Sequence, residues 1–195
     1  MTIQKILKGV IHGRFQGLHL GHVEYLLEAK KKCNFLYIGI TNPDPTLTKE
    51  NTHNTHRSSI EDNPFTYYER LEMLEAFFNE YNISHLEYEI VPLPINYPEL
   101  FQYYVPMDAV FFLTIYDNWG RYKLNTFKSM ELKTDVMWEA TMEDRITTGK
   151  ELRRMMIQDE DWEKWVPKSV AHYIQTNGLV DKIKKRNAIF NTIRV

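Results

Sequence analysis

The chain has 195 residues, of which 43% are hydrophobic and 26% charged, and its formal net charge at pH 7 is −2. These values are typical of a globular protein, and they exclude a disordered chain and a strongly basic nucleic-acid binder. The sequence has no bilayer-spanning apolar run and no signal-peptide segment, and its single cysteine, Cys33, cannot form an internal disulfide. We expect a cytoplasmic protein with a buried free thiol and with neither nucleic-acid nor membrane partners.

Apolar segments with strand character alternate along the chain with segments of helical periodicity. The predicted strands are Ile6–Ile11, Phe35–Ile40, Leu86–Val91, Ala109–Leu113 and Asp135–Trp138. The predicted helices are Val23–Lys32, Tyr67–Tyr81, Trp119–Met130, Gly149–Gln158 and Pro167–Thr176, and Thr66 and Glu69 form a capping box before the second of them. This alternation predicts an α/β fold, a doubly wound parallel five-stranded sheet with helices on both faces.

Two segments fall outside this pattern. Asn42–Asn63 is long, polar and aperiodic, which predicts either a lid or a disordered insertion. Within it, His53 and His56 lack the further ligands that a zinc site needs, so we predict no metal site in the protein. The basic segment Asp181–Val195 is interpreted as a solvated tail or an oligomer contact.

The run His19-Leu20-Gly21-His22 follows an apolar strand and a glycine-bearing turn, and it opens a helix. The first turn of a helix offers unpaired backbone N–H groups and the positive end of the helix dipole, so it favours anions. Two histidines three residues apart share one face of that turn, and Gly21 between them has no Cβ to hold a ligand away. This pattern indicates a site for phosphoryl-group chemistry.

The sequence resembles the HxGH nucleotidylyltransferases, and within them the archaeal-type nicotinamide mononucleotide adenylyltransferases. Five segments carry the resemblance, and their order and spacing hold from about Leu7 to Gly178: Gly13–His22, Asn63–Leu74, Val91–Pro94, Thr148–Arg153 and Trp165–Val170. The resemblance implies a Rossmann-like, HUP-type sheet of strand order 3-2-1-4-5, with the ligand between the first and fourth strands. It also implies a nucleotide-binding α/β domain over residues 1–147. Residues 148–195 would then be a small C-terminal helical appendage that carries a second phosphate-binding motif in the same compact unit.

The resemblance also implies roles for individual residues. The expected catalytic residues are His19, His22 and Arg153. The expected triphosphate-binding residues are Gly13, Arg14, Phe15, Gly21, Thr148, Gly149 and Lys150. The expected base- and acceptor-binding residues are Asn96, Tyr97, Phe101, Asp117 and Trp119, although a helix cap at Asp117 and a core position for Trp119 are equally compatible with the sequence. This chain departs from the family pattern at Ile95, where an acidic residue is expected, and at Lys150, which replaces a threonine.

The implied reaction transfers a nucleoside monophosphate from a nucleoside triphosphate to a phosphorylated small acceptor, with release of pyrophosphate. The main hypothesis is ATP with nicotinamide or nicotinate mononucleotide, which would place the protein in NAD biosynthesis. The alternatives are a cytidylyl transfer to a small phosphate or phosphonate and, in another class, a non-catalytic nucleotide-binding sensor. We expect Mg²⁺ to be held mainly by the substrate phosphates, and the resemblance leaves a homo-oligomer open.

Overall fold

The computed structural model describes residues 5–48, 62–141 and 143–193. The strands are β1 (Ile6–Gly13), β2 (Cys33–Ile40), β3 (Tyr88–Pro92), β4 (Val110–Ile115) and β5 (Lys133–Glu139). The helices are α1 (Leu20–Lys32), α2 (Tyr67–Glu80), α3 (Asn118–Ser129), α4 (Gly149–Ile157), α5 (Lys168–Thr176) and α6 (Leu179–Ile193). In the described ranges, no helix is long and apolar enough to cross a bilayer.

The five strands form one parallel sheet in the order β3-β2-β1-β4-β5, which confirms the predicted fold and strand order. β1 lies in the middle and pairs with β2 from Ile6 to Gly13 and with β4 at Gly9 and Val10. The strand order therefore reverses between β1 and β4. In doubly wound sheets, ligands bind beyond the carboxyl ends of the strands at this point.

Two apolar clusters cover the two faces of the sheet. One cluster joins Ile11 of β1 to buried side chains of α1, α2, α4 and α5, so it crosses the predicted boundary at residue 147. The other joins Val10 to Phe111 and to Phe127 of α3. Because neighbouring β1 residues point to opposite faces, the end of this strand presents side chains to both layers.

Local signals in the sequence set several element boundaries. The capping box at the start of α2 is present: the Glu69 N–H donates to the Thr66 hydroxyl at 3.2 Å, and the Thr66 N–H donates to the Glu69 carboxylate at 2.8 Å. Gly178 has φ +60° after the end of α5, as expected for a glycine that terminates a helix. Cys33 begins β2; it is buried, as expected, and burial raises the pKa of its thiol to about 11.

The basic C-terminal segment, interpreted as a solvated tail or an oligomer contact, is helical over most of its length rather than a tail, and the oligomer contact stays a prediction. Residues 179–193 form α6, which buries Leu179 and Ile183, four residues apart on one helical face. The Lys182 ammonium lies 2.6 Å from the Glu69 carboxylate at the start of α2. The charged positions therefore alternate with a small apolar stripe that docks the helix.

The predicted lid, Asn42–Asn63, lies largely outside the described residues, because 49–61 are among those not described. His53 and His56 fall in this part. In the described part, Asp44 caps a short 3-10 turn at Pro45–Leu47. The lid stays a prediction.

Candidate active site

The turn from β1 to α1 has a backbone that only a few residues can adopt. Phe15 has φ 47° and Gly17 has φ +89°, so both lie in the left-handed region. A Cβ on Gly17 would lie 2.7 Å from the Leu152 side chain of α4. The turn therefore packs closely against α4, and its positive φ favours glycine at position 17, where a Cβ would also press on the Leu152 side chain.

Buried side chains from distant parts of the chain hold this turn. The Gln16 amide donates to the Phe65 carbonyl at 3.0 Å and accepts from the Phe65 N–H at 2.9 Å. Arg70 of α2 is 1% exposed, and its guanidinium donates to the carbonyls of Arg14 at 2.9 Å and Thr41 at 2.7 Å. Arg70 therefore stabilises the turn by hydrogen bonds from its buried guanidinium to the backbone.

His19 and His22 stack on each other at the start of α1. Their ring centroids are 3.7 Å apart with an interplanar angle of 25°. The backbone N–H of His19 donates to the ring atom Nδ1 of His22 at 3.4 Å. A Cβ on Gly21 would lie 3.2 Å from the His19 ring, so glycine at this position leaves the ring room to lie in the cleft. The structure thus brings together the two histidines that the sequence predicts to act together.

Both imidazoles are neutral at neutral pH. Burial, with smaller contributions from the positive charges of Arg145 and Arg153, lowers the pKa of His19 to about 3. Burial also lowers the pKa of His22, as do its neighbours His19, Arg14 and Arg145. A bound polyphosphate would place negative charge beside these rings and raise both pKa values.

The N-terminus of α4 and Arg153 face the same turn. Thr148 caps the helix by accepting from the Glu151 N–H at 3.1 Å. Arg153 is 6% exposed and donates to the Gln16 carbonyl at 3.0 Å and to the Asp62 carboxylate at 3.1 Å. Arg14 also reaches Asp62, with its guanidinium 3.3 Å from the Asp62 carbonyl oxygen. Arg14 and Arg153, the two arginines expected to bind phosphate, therefore both contact Asp62.

These groups line a cleft of about 390 Å³ at the carboxyl ends of β1 and β4. The predicted site residues that line it come from all three predicted classes: Gly13, Arg14, Phe15, His19, Gly21, His22, Asn96, Asp117, Trp119, Thr148, Gly149, Lys150 and Arg153. The topology and the motif thus agree on the position of the site.

Two predicted acceptor residues do not line the cleft. Phe101 is fully buried and packs against Phe111 and Phe127, with centroid distances of 6.2 and 5.7 Å, so the prediction that its ring meets the acceptor is corrected. The apolar ring is needed to fill the layer between the sheet and α3. Tyr97 precedes a 3-10 turn and is not among the lining residues.

Asp117 and Trp119 each make a contact that stabilises the fold, and both also line the cleft. The Asp117 carboxylate caps α3 by accepting from the Gly120 N–H at 2.8 Å, which is the cap that the sequence left open. Trp119 is 8% exposed and stacks on Tyr122 at 5.4 Å.

One end of the cleft is aromatic and was not predicted from the sequence. The Trp138 indole N–H donates to the Tyr116 hydroxyl at 2.8 Å, and the Arg145 guanidinium lies 4.3 Å from the centre of the Tyr116 ring. No periodicity marks Arg145, because it lies in an irregular segment between β5 and α4.

The other unpredicted pair is His12 and Lys123. His12 ends the run of buried β1 residues, and its Nε2 lies 3.1 Å from the Lys123 ammonium of α3. Its position directly before Gly13, at the carboxyl end of a predicted strand, was a usable signal.

Several buried polar atoms around the cleft lack hydrogen-bond partners in the described part of the chain. They are Nδ1 of His12, Nδ1 of His19, Nε of Arg145 and Oγ1 of Thr147. Native proteins leave few buried polar atoms unsatisfied, so their concentration at one cleft is typical of a ligand site.

The acidic side chains of the described residues are too dispersed to form a metal-binding group. Across residues 5–48, 62–141 and 143–193, no three His, Cys, Asp or Glu side chains are grouped so that they could hold a metal ion. Asp117 caps α3, and Asp144 accepts from the Thr141 N–H at 2.7 Å.

Comparison with known proteins identifies the family of the chain. Residues 10–119, more than half of the sequence, match the family model described as cytidylyltransferase-like. The chain belongs to the cytidylyltransferase-like family. The matched residues contain the carboxyl end of β1, the whole of β2 to β4 and the His19–His22 turn.

Relatives of this cytidylyltransferase-like protein extend the match over most of its length. It is 45% identical over 176 residues to the phosphonoformate cytidylyltransferase of Streptomyces viridochromogenes, covering 90% of this chain and 95% of that protein. It is 30% identical over 181 residues to the nicotinamide-nucleotide adenylyltransferase of Thermococcus kodakarensis, covering 92% and 88%. The prediction of a nucleotidylyltransferase related to the archaeal adenylyltransferases is confirmed.

The fold of the cytidylyltransferase-like chain also matches solved structures. The bifunctional NMN adenylyltransferase/ADP ribose pyrophosphatase of Francisella tularensis aligns with a TM-score of 0.62 at 14% identity. The alignment covers 97% of this chain, which spans 56% of that protein's length. At this identity the likeness concerns the fold alone, and it agrees with the five-stranded sheet described above.

Proposed function

We propose that this nucleotidylyltransferase transfers a cytidylyl group from CTP to a small phosphonate or phosphate and releases pyrophosphate. The observation that carries the proposal is the cleft in which the stacked His19–His22 pair lies with Arg153 at the N-terminus of α4. The 45% identity to a phosphonoformate cytidylyltransferase over nearly the whole chain supports cytidylyl over adenylyl transfer.

In the proposed reaction an oxygen of the acceptor attacks the α-phosphorus of CTP. A P–O bond forms to the acceptor, the bond to the bridging oxygen breaks, and pyrophosphate carries that oxygen away. Charge grows on the α-phosphate and bridging oxygens, where positioned donors stabilise the transition state most. His19 and His22 supply N–H donors there.

The β- and γ-phosphates are assigned to the opposite side of the turn. Arg14, Lys150 and Arg153 provide positive charge, and the first turn of α4 provides backbone N–H groups. Binding of the triphosphate in this place requires Asp62 to give up its contact with Arg153. Mg²⁺ is proposed to arrive with the triphosphate as part of the substrate, neutralising phosphate charge while water and phosphate oxygens coordinate it.

The aromatic end of the cleft is proposed to hold the nucleoside. Tyr116, Trp138 and the Arg145 guanidinium offer flat surfaces on which a base can stack. This leaves the end lined by Ile95 and Asn96 to the acceptor.

The structure gives little support to nicotinamide mononucleotide as the acceptor. Phe101, one of the rings expected to meet a pyridine, is in the core, and Ile95 stands where the family pattern has an acidic residue. The adenylyltransferase relatives, at about 30% identity, keep ATP with this acceptor as the competing hypothesis.

A pyrophosphate-release assay with the purified full chain tests the proposal. CTP, ATP, GTP and UTP are each combined with Mg²⁺ and with phosphonoformate, methylphosphonate, glycerol 3-phosphate or nicotinamide mononucleotide. We expect the highest kcat/KM for CTP with a phosphonate or small phosphate, and mass spectrometry should find the cytidylylated acceptor. Turnover of ATP with nicotinamide mononucleotide alone would replace the cytidylyl proposal by the adenylyl one.

A further inference from the structure

β1 and β4 stop pairing before either strand ends. Their last paired residues are Val10 and Phe111, although β1 continues to Gly13 and β4 to Ile115. On its other side, β1 stays paired with β2 as far as Gly13. The separation therefore lies at the point where the strand order reverses, which is where the cleft opens.

The next hydrogen bond of this ladder is replaced by two bonds through a side chain. The Gly13 carbonyl accepts from the Thr41 N–H, so the preceding residue, His12, turns its backbone N–H toward β4. The register, continued by one step, places the Phe112 carbonyl opposite that N–H. Instead, the His12 N–H donates to the Tyr25 hydroxyl at 3.4 Å, and this hydroxyl donates to the Phe112 carbonyl at 3.0 Å. Two bonds in series thus stand where a direct bond of about 2.9 Å would join the strands.

Tyr25 belongs to the helix that carries the histidines. It lies on α1 three residues after His22, so the two side chains leave the same side of the helix. The Tyr25 side chain is 9% exposed, and burial raises the pKa of its hydroxyl, which therefore keeps its proton. Because a hydroxyl both donates and accepts, it satisfies one backbone group on each strand. Tyr25 thereby ties α1 and β1 to β4.

Tyr25 also contacts the aromatic end of the cleft. Its ring packs edge-on against Trp138 of β5, with centroids 6.3 Å apart, and both residues line the cleft. Trp138 belongs to the end that is proposed to hold the nucleoside. The β1–α1 turn belongs to the end that is proposed to hold the phosphates. The distance between the two ends therefore depends on the separation of β1 from β4.

We propose that Tyr25 is a positioning residue whose hydroxyl keeps β1 and β4 apart and so sets the span between the phosphate end and the nucleoside end of the cleft. The inference rests on the proposed function, since that function assigns the two ends. A ligand that occupies one end alone does not depend on the span. A nucleoside triphosphate has to fit both ends at once, so its affinity depends on the span directly.

Loss of the hydroxyl would leave two aligned backbone groups without a partner. The bonds of the His12 N–H and the Phe112 carbonyl to Tyr25 are buried, and an unpaired buried polar group destabilises a fold. Because the strand register already aligns the two groups, a direct bond between the strands becomes favourable once the hydroxyl is removed. That bond would draw the carboxyl ends of β1 and β4 together. We therefore expect a folded protein with a shorter span.

The test compares ligands that reach one end or both ends of the cleft. Isothermal titration with Mg²⁺ measures the binding of CTP, ATP and tripolyphosphate, which has the phosphates but no nucleoside, to the full-length wild type and Tyr25→Phe. We expect Tyr25→Phe to weaken CTP binding about 5- to 20-fold and tripolyphosphate binding less than about 2-fold, as for one or two neutral hydrogen bonds. Tyr25→Met, which also lacks the hydroxyl and whose flexible side chain adapts to a buried space, should show the same selective loss.

Tyr88→Phe is the matched control. Tyr88 is 4% exposed in the same apolar cluster as Tyr25, and its hydroxyl donates to the Glu75 carboxylate at 2.6 Å. It starts the edge strand β3, at the end of the parallel sheet opposite the cleft. Loss of this hydroxyl should leave the binding of all three ligands unchanged.

The outcomes separate this inference from the proposed function. If CTP gives no pyrophosphate with any acceptor while ATP binding shows the selective dependence on Tyr25, the cytidylyl proposal fails and the role of Tyr25 stands. Equal weakening of nucleotide and tripolyphosphate would mean that Tyr25 stabilises the whole site, and unchanged nucleotide binding would mean that the span does not depend on the hydroxyl. Either result overturns the inference. If the wild type binds neither nucleotide, both proposals fail.

Discussion

Replacement of His19 by glutamine should remove about 2 kcal/mol of the pH dependence of folding stability. His19 is 6% exposed, and burial beside Arg145 and Arg153 lowers its pKa to about 3, against about 6.5 in an unfolded chain. Between these values the unfolded chain binds more protons than the folded one. The stabilisation is therefore complete above pH 6.5 and is lost as the pH falls toward 3.

The magnitude follows from the two pKa values. Between pH 7.5 and 5.0 the unfolded histidine becomes almost fully protonated while the folded one stays neutral, which costs about 2 kcal/mol. His19→Gln removes this term. The substitution also removes a neighbour that lowers the pKa of His22, so the pH dependence of stability that His22 contributes should decrease as well.

The assay is urea unfolding of the wild type and His19→Gln at pH 7.5 and 5.0, without ligand. The difference in unfolding free energy between the two proteins should change by about 2 kcal/mol between these pH values. His172→Gln, at an exposed position on α5, should follow the wild type at both. If His19→Gln loses as much stability on acidification as the wild type, burial does not hold His19 neutral and the description of the site is wrong.

Four further changes test other parts of the site. His22→Ala should lower kcat about 10²- to 10³-fold with an unchanged circular dichroism spectrum, because it removes a proposed transition-state donor; a loss below tenfold would show that His22 has no catalytic role. Arg153→Ala should raise the KM for the triphosphate more than that for the acceptor, and the opposite order would show that Arg153 serves the acceptor. Asp62→Asn should tighten CTP binding about 2- to 5-fold in isothermal titration, since it removes a carboxylate that competes for Arg153; weaker binding would mean that Asp62 positions the guanidinium instead. Gly17→Ala should lower the unfolding free energy by about 1–3 kcal/mol, because φ +89° is strained for alanine and its Cβ would meet Leu152; wild-type stability would show that the turn relaxes freely.

The sequence was most informative where a local rule decides the structure. The apolar runs predicted all five strands and five of the helices, because strand and helix periodicities differ. The capping box of Thr66 and Glu69 was visible because its two residues lie three positions apart in the sequence. The family resemblance supplied the strand order, which periodicity alone does not determine.

The sequence was least informative where contacts between residues far apart in the chain determine the structure. Phe101 resembles an exposed recognition ring in sequence but fills a gap under α3. The apolar stripe of α6 is short and interrupted by lysines, so composition concealed it. Lys123 and Arg145 reach the cleft only through the packing of α3 and of the segment after β5, and no spacing in the sequence marks them.

The β1–α1 turn is held by residues that lie far from it in the sequence, and this affects the order in which a newly synthesised chain can fold. Gln16 bonds to a residue 49 positions later, the Arg14 carbonyl to one 56 positions later, and the Gln16 carbonyl to Arg153, 137 positions later. Contacts this distant in sequence form late, since each must close a long loop. A nascent chain that ends at residue 119, where the family match ends, would contain all of the residues of β1–β4. It would lack Arg153, whose guanidinium donates to the Gln16 carbonyl in the turn. The described geometry of the β1–α1 turn therefore depends on residues that are made after the matched segment, and a chain truncated at residue 119 should lack the contact between Arg153 and Gln16.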